Sequence, residues 1–118
     1  MDIRSIFDFA KSVDGGELAE AWSQKFLKQA FNCVNSIKEM ATLNNQLSAD
    51  SYNKFKARKA NLAAIAEVSG EARQFLDASS ITDVKIVNAV NKLDSYTRKM
   101  IESTEYERAV KSLERWFS

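Results

Sequence analysis

The stretch FLKQAFNCVNSIKEMATLNNQL, residues 26–47, decides the fold of this chain. Apolar residues recur through it in alternating steps of four and three, which is the pattern of a helix packed between other helices. This spacing predicts a helix over residues 17–47 that contacts two or more neighbours, with Cys33 buried as a small apolar residue. The positions of the predicted seam are Phe26, Ala30, Cys33, Ile37, Met40, Asn44 and Leu47.

A short amphipathic helix is predicted on the N-terminal side, over residues 2–13. The glycine pair Gly15-Gly16 follows it. Because paired glycines favour a turn and either one could close a helix in a left-handed conformation, we expect an elbow there.

On the C-terminal side, capping residues predict where three further helices begin. Ser48 is the predicted N-cap of a helix that continues to about residue 78, and Gly70 inside it costs about 1 kcal/mol without breaking it. Thr82 is the predicted N-cap of the next helix. The apolar stripe changes direction after Met100, and Thr104 and Glu107 match a capping box, which predicts a new helix starting at Thr104.

These segments predict an all-α fold. The chain has 118 residues, 45% of them hydrophobic, and no proline to interrupt a helix. We therefore expect a single domain over residues 1–118, built as an antiparallel bundle of four to five helices with two long central helices.

The composition argues against most catalytic and metal chemistry. The chain has no histidine and one cysteine, so the usual general base and the usual zinc ligands are missing. Glu67 and Glu71 stand four residues apart, and we interpret them as a solvated acidic face. We expect no cofactor, no metal and no enzymatic activity. The single cysteine favours a cytoplasmic location, and no stretch is apolar enough to predict a membrane span.

The sharpest charge feature is a basic run at residues 52–59, which contains Lys54, Lys56, Arg58 and Lys59. Helical spacing distributes these cations around the helix, which favours long side chains that cover the edge of the core with their charges in water. The alternative is a binding surface for an acidic protein or for nucleic acid.

The C-terminal segment ends on two large aromatic residues, Trp116 and Phe117, on the same predicted helix as Tyr106. Such residues either fold back onto the bundle or remain exposed as anchors for a partner, because aromatic residues dominate interface hot spots. An amphipathic membrane helix is disfavoured by the glutamates of this segment.

From these features we expect a small non-enzymatic protein-binding module of bacterial or phage type, such as an inhibitor, an immunity protein, an antitoxin or an adaptor. The candidate partner-binding residues are Lys54, Lys56, Arg58, Lys59, Tyr106, Trp116 and Phe117. One alternative is an accessory subunit of a nucleic-acid-handling complex that uses the basic helix. Another is a helical structural protein that assembles with itself through the C-terminal helix.

Overall fold

A computed structural model describes residues 15–118 of the chain, apart from the side chain of Asn44. This part contains four α-helices: α1 (Gly15–Thr42), α2 (Ala49–Ala78), α3 (Val84–Glu102) and α4 (Thr104–Phe117). A 3₁₀ turn, Asn44–Gln46, lies between α1 and α2. The prediction of an all-α bundle is confirmed. The helix predicted over residues 2–13 lies outside the described residues.

The bundle has three layers, α1, α2 and the pair α3–α4, and each layer runs opposite to the one before it along the chain. Gly16 lies against Lys85 at the start of α3, and Lys38 pairs with Glu105 at the start of α4, so α1 runs parallel to both. Helix α2 runs the opposite way, since its Arg73 lies near Asp94 of α3 and its Lys59 pairs with Glu114 of α4. Helices α3 and α4 thus follow each other in the same direction, with one residue between them.

That break is at Ser103, and it confirms the predicted division of the last segment. The extended backbone of Ser103 ends α3 and starts α4, and its hydroxyl oxygen accepts a hydrogen bond from the Tyr106 N–H at 3.2 Å. The predicted capping box of Thr104 and Glu107 is wrong, because Ser103 occupies the N-cap position one residue earlier. The break turns the apolar stripe of α4 toward α1 and α2.

Two other helix ends also differ from the prediction. Helix α1 ends at Thr42, five residues early, where the Thr42 hydroxyl donates to the Glu39 carbonyl at 2.7 Å and the chain enters the 3₁₀ turn. The N-cap of α3 is Asp83 and not Thr82, since the Asp83 carboxylate accepts from the Lys85 N–H at 2.9 Å. Aspartate is the stronger capping residue of the two.

Helix α2 follows its prediction closely. The Ser48 hydroxyl accepts from the Ser51 N–H, and the Ser51 hydroxyl accepts from the Ser48 N–H in return, which completes a capping box. The helix is continuous through Gly70 to Ala78. A side chain at Gly70 would meet no atom within 4 Å, so glycine is not required there for packing.

The glycine pair lies at the start of α1, and the segment that the predicted elbow would join to it lies outside the described residues. Gly15 and Gly16 belong to the first turn of the helix, and the φ of Gly16 is not positive. A Cβ at Gly16 would lie 2.8 Å from the Lys85 Cβ. Gly16 therefore allows α1 to approach α3 closely, and a left-handed turn is not what it provides.

The core has two adjoining parts. The larger one lies among all four helices and buries Cys33 as predicted, with its thiol 3.5 Å from the Asn61 side-chain nitrogen. The smaller one lies among α1, α2 and α3, near Gly16. The most deeply buried large side chains of the larger part are Ile37, Leu62, Ile65, Leu93 and Leu113.

A buried carboxylate links α2 to α3. The Asp94 side chain is 6% exposed, accepts from the Arg98 guanidinium at 3.0 and 3.3 Å, and lies 3.7 Å from the Arg73 guanidinium. The two arginines supply the charge pairing that a buried carboxylate requires. None of the helices described is long and apolar enough to cross a membrane.

Candidate protein-binding groove

An open groove of about 350 Å³ separates α2 from α4. We call it the α2–α4 groove. It forms because α2 and α4 each pack against α1 and leave a gap between them beside the core. The residues that line it are Lys59, Leu62, Ala63, Ile101, Tyr106, Glu107, Val110, Lys111 and Glu114.

The floor of the α2–α4 groove is apolar and its rim is charged. Leu62 is buried, and Ile101 and Val110 are half-buried against the core. On the rim, the Lys59 ammonium lies 2.6 Å from the Glu114 carboxylate on the opposite helix. Since both side chains are about half exposed, this pair contributes no more than about 1 kcal/mol. A carboxylate of another molecule can therefore replace Glu114 beside Lys59.

Tyr106 links the groove to the core. Its side chain is 7% exposed and packs within the larger core cluster, yet it also lines the groove. Burial raises the pKa of its phenol above the ordinary value of 10.0, and the nearby negative charge of Glu114 raises it further. Tyr106 therefore stays neutral at physiological pH and presents the groove with an uncharged wall.

An aromatic cluster closes one end of the groove region. The Phe117 ring lies 4.9 Å from the Tyr52 ring and 6.1 Å from the Phe55 ring, measured between centroids. The Lys56 ammonium lies 4.5 Å from the centroid of the Tyr52 ring, within the range of a cation–π interaction. Contacts between aromatic rings thus join the start of α2 to the end of α4. They also place the basic run beside the C-terminal aromatic residues.

The structure brings some of the predicted partner-binding residues together and separates others. Lys59 and Tyr106 line the groove, and Lys56 and Phe117 belong to the aromatic cluster beside it. Lys54 pairs with Asp50 at 3.3 Å on its own helix. Arg58 is exposed and has no ion-pair partner within residues 15–118.

Trp116 is on the other side of α4. Its position along the helix is roughly opposite that of Val110 and Glu114, and its side chain is 48% exposed. The sequence left two interpretations of the terminal aromatic residues. Phe117 folds back onto the bundle, and Trp116 remains exposed.

The sequence interpretation missed most of the groove itself. Val110 fits an ordinary apolar stripe, and Ala63 and Ile101 belong to no sequence pattern that indicates binding. The one local signal was the cluster of alanines in α2, where Ala60, Ala63 and Ala64 are all exposed. Small residues leave space beside a helix, but only the positions of α2 and α4 show that this space forms a groove.

Comparison with known proteins found no matching family model, no similar curated protein and no similar solved structure. Within residues 15–118, no three acidic or cysteine side chains are grouped closely enough to hold a metal ion.

Proposed function

We propose that this protein is a small, non-enzymatic protein-binding module of bacterial or phage type, in the broad class of inhibitors, immunity proteins, antitoxins and adaptors. The α2–α4 groove is its binding site in this proposal. The observation that carries it is the combination of an apolar floor, a rim of exchangeable charges and an adjoining aromatic cluster. A few polar groups around an apolar concavity are typical of binding sites.

The partner that we propose is an acidic segment of another protein with one large apolar residue. The apolar residue would enter the groove, which has room for one or two side chains. On the α2 side, Lys59 lines the groove and Lys56 lies beside its aromatic end, so two cations of α2 are within reach of a bound segment. A carboxylate of the partner could replace Glu114 beside Lys59, and another could meet Lys56 beside the Tyr52 ring.

The arrangement of the cations supports a protein partner over nucleic acid. Lys54 and Lys59 are already paired with carboxylates of this chain, and Lys56 and Arg58 point to different sides of α2. A nucleic-acid surface needs several cations in line with successive phosphates. We therefore expect no binding to a single-stranded oligonucleotide at low salt, measured by fluorescence anisotropy.

Site-specific photo-cross-linking tests the proposal. A photoreactive amino acid is placed at Lys111, on the rim of the groove, and, as the matched control, at Lys28 on the outer side of α1, where it is exposed. In extracts of the source organism, the Lys111 probe should capture one protein through a segment that contains Asp or Glu beside a large apolar residue. A synthetic peptide of that segment should then bind the purified chain. Equal capture from both positions, or capture of a basic segment, would contradict the proposal.

A further inference from the structure

The two halves of α2 carry opposite net charge. Its N-terminal part carries Lys54, Lys56, Arg58 and Lys59 with a single carboxylate, Asp50, and its C-terminal part carries Glu67, Glu71 and Asp77 with a single cation, Arg73. Residues 60–66 between them carry no charge. This order is the reverse of the one that the helix dipole favours, which is acidic at the N-terminus and basic at the C-terminus. The ion pairs within α2 join Lys54 to Asp50 and Arg73 to Asp77, and they involve none of Lys56, Glu67 and Glu71.

Three exposed charges near the middle of α2 have no ion-pair partner among residues 15–118. Glu67 and Glu71 are exposed, and neither has an ion-pair partner among the described residues. Two carboxylates four residues apart on a helix also repel each other. Lys56 also has no ion-pair partner among the described residues, and its ammonium lies over the Tyr52 ring.

Lys56, Glu67 and Glu71 share one face of α2 with Ala60, Ala63 and Ala64. The steps between these residues are three and four, apart from the adjacent alanine pair, so their side chains lie along one side of the helix. All six are exposed. Alanine permits the closest approach of two helix axes, at the lower end of the usual 8–10 Å.

We propose that this face of α2 binds the same face of a second copy of the chain, with the two α2 helices antiparallel. Along α2, the midpoint between Ala60 and Ala63 is also the midpoint between Lys56 and Glu67. In an antiparallel pair that is centred on this midpoint, the alanines meet at the two-fold axis and each Lys56 faces the partner copy's Glu67. Both charge pairs then form at once, because a two-fold interface repeats every contact.

Charge complementarity selects a second copy as the occupant. A different partner would have to present the same order of acid, small residues and base, whereas a second copy supplies it by symmetry. The face shares Ala63 with the lining of the α2–α4 groove and Lys56 with its aromatic end, but the inference concerns a second copy and is tested by self-association, so it does not depend on the proposed function. Because a contact between two single helices is small, the association is weak and depends on salt.

Sedimentation equilibrium of the full chain tests the inference, from about 10 µM to about 1 mM at low ionic strength. The weight-average mass should rise from 13.3 kDa toward twice that value and should fall again at high salt. Lys56→Glu should weaken association about tenfold, since it alters two symmetric pairs. Glu67→Lys should do the same, and the double variant should restore association. Lys28→Glu is the control for net charge, because Lys28 lies on the outer side of α1.

Three results would overturn the inference. One is a mass of 13.3 kDa at every concentration. Another is association that survives both single charge reversals. The third is association that is lost in Trp116→Ala but kept in Lys56→Glu, because this would place the interface on α4. The altered side chains are all exposed, so circular dichroism should show unchanged helix content in each variant.

Discussion

Gly70→Ala should stabilise the protein, because Gly70 lies in the interior of a continuous helix with open space where a Cβ would be. Alanine is favoured over glycine in a helix interior by about 1 kcal/mol. With an unfolding entropy of roughly 2.1 cal/mol/K per residue, 118 residues give about 250 cal/mol/K, so the melting temperature should rise by about 4 °C. Differential scanning calorimetry and urea denaturation measure both quantities.

Gly16→Ala is the matched control, since the same substitution meets a different environment. The new Cβ would lie 2.8 Å from the Lys85 Cβ and 2.9 Å from the Lys85 Cδ. The start of α1 would have to move away from α3, at a cost of about 1–2 kcal/mol. The two alanine variants should therefore shift stability in opposite directions. A loss of stability in Gly70→Ala, or a gain in Gly16→Ala, would refute the helix continuity and close packing on which the reasoning rests.

Three further predictions concern α4 and its attachment. Ser103→Ala should lower the free energy of unfolding by about 1 kcal/mol in urea titration through loss of the N-cap, whereas Ser95→Ala, at an exposed position of α3, should change it by less than about 0.5 kcal/mol. Leu113→Ala should cost about 3 kcal/mol because Leu113 is fully buried, and Arg115→Ala on the same helix should cost less than about 0.5 kcal/mol. The Lys38 ammonium donates a hydrogen bond to the Glu105 carboxylate and attracts its charge, and it therefore lowers the pKa of that carboxyl below 4.5. The contribution of this pair to stability is present above pH 4.5 and is lost as pH falls through the lowered pKa. Carboxyl NMR titration should show the shift, and a Glu105 pKa that stayed low in Lys38→Met would contradict its assigned cause.

Local chemistry determined which parts of the fold could be predicted. The Ser48 cap, the continuity through Gly70 and the break at Ser103 depend on residues within a few positions of one another, and the structure confirms all three. The prediction was wrong where neighbouring residues compete for one role, as Thr82 does with Asp83 and Thr104 does with Ser103. In both cases a single residue decides which N–H groups receive the cap.

The candidate site was harder to predict because it depends on distances between helices. The Lys54–Asp50 pair is four residues apart on one helix, so spacing alone indicates it. The Lys59–Glu114 pair and the contact of Phe117 with Tyr52 join the middle of the sequence to its C-terminal end. Sequence reasoning identified the basic run and the terminal aromatic residues as separate candidates, and it had no basis for placing them at the two sides of one groove.

The most direct test of the central claim, that the α2–α4 groove binds an acidic segment of a partner protein, is a calorimetric titration with the peptide identified by cross-linking. Ala63→Trp would fill the groove, and Ala64→Trp would place the same side chain on the neighbouring exposed position outside the groove lining. The account predicts that Ala63→Trp weakens binding at least about tenfold, which corresponds to about 1.4 kcal/mol, and that Ala64→Trp leaves the affinity unchanged. Unchanged affinity in Ala63→Trp, with the fold intact by circular dichroism, would contradict it.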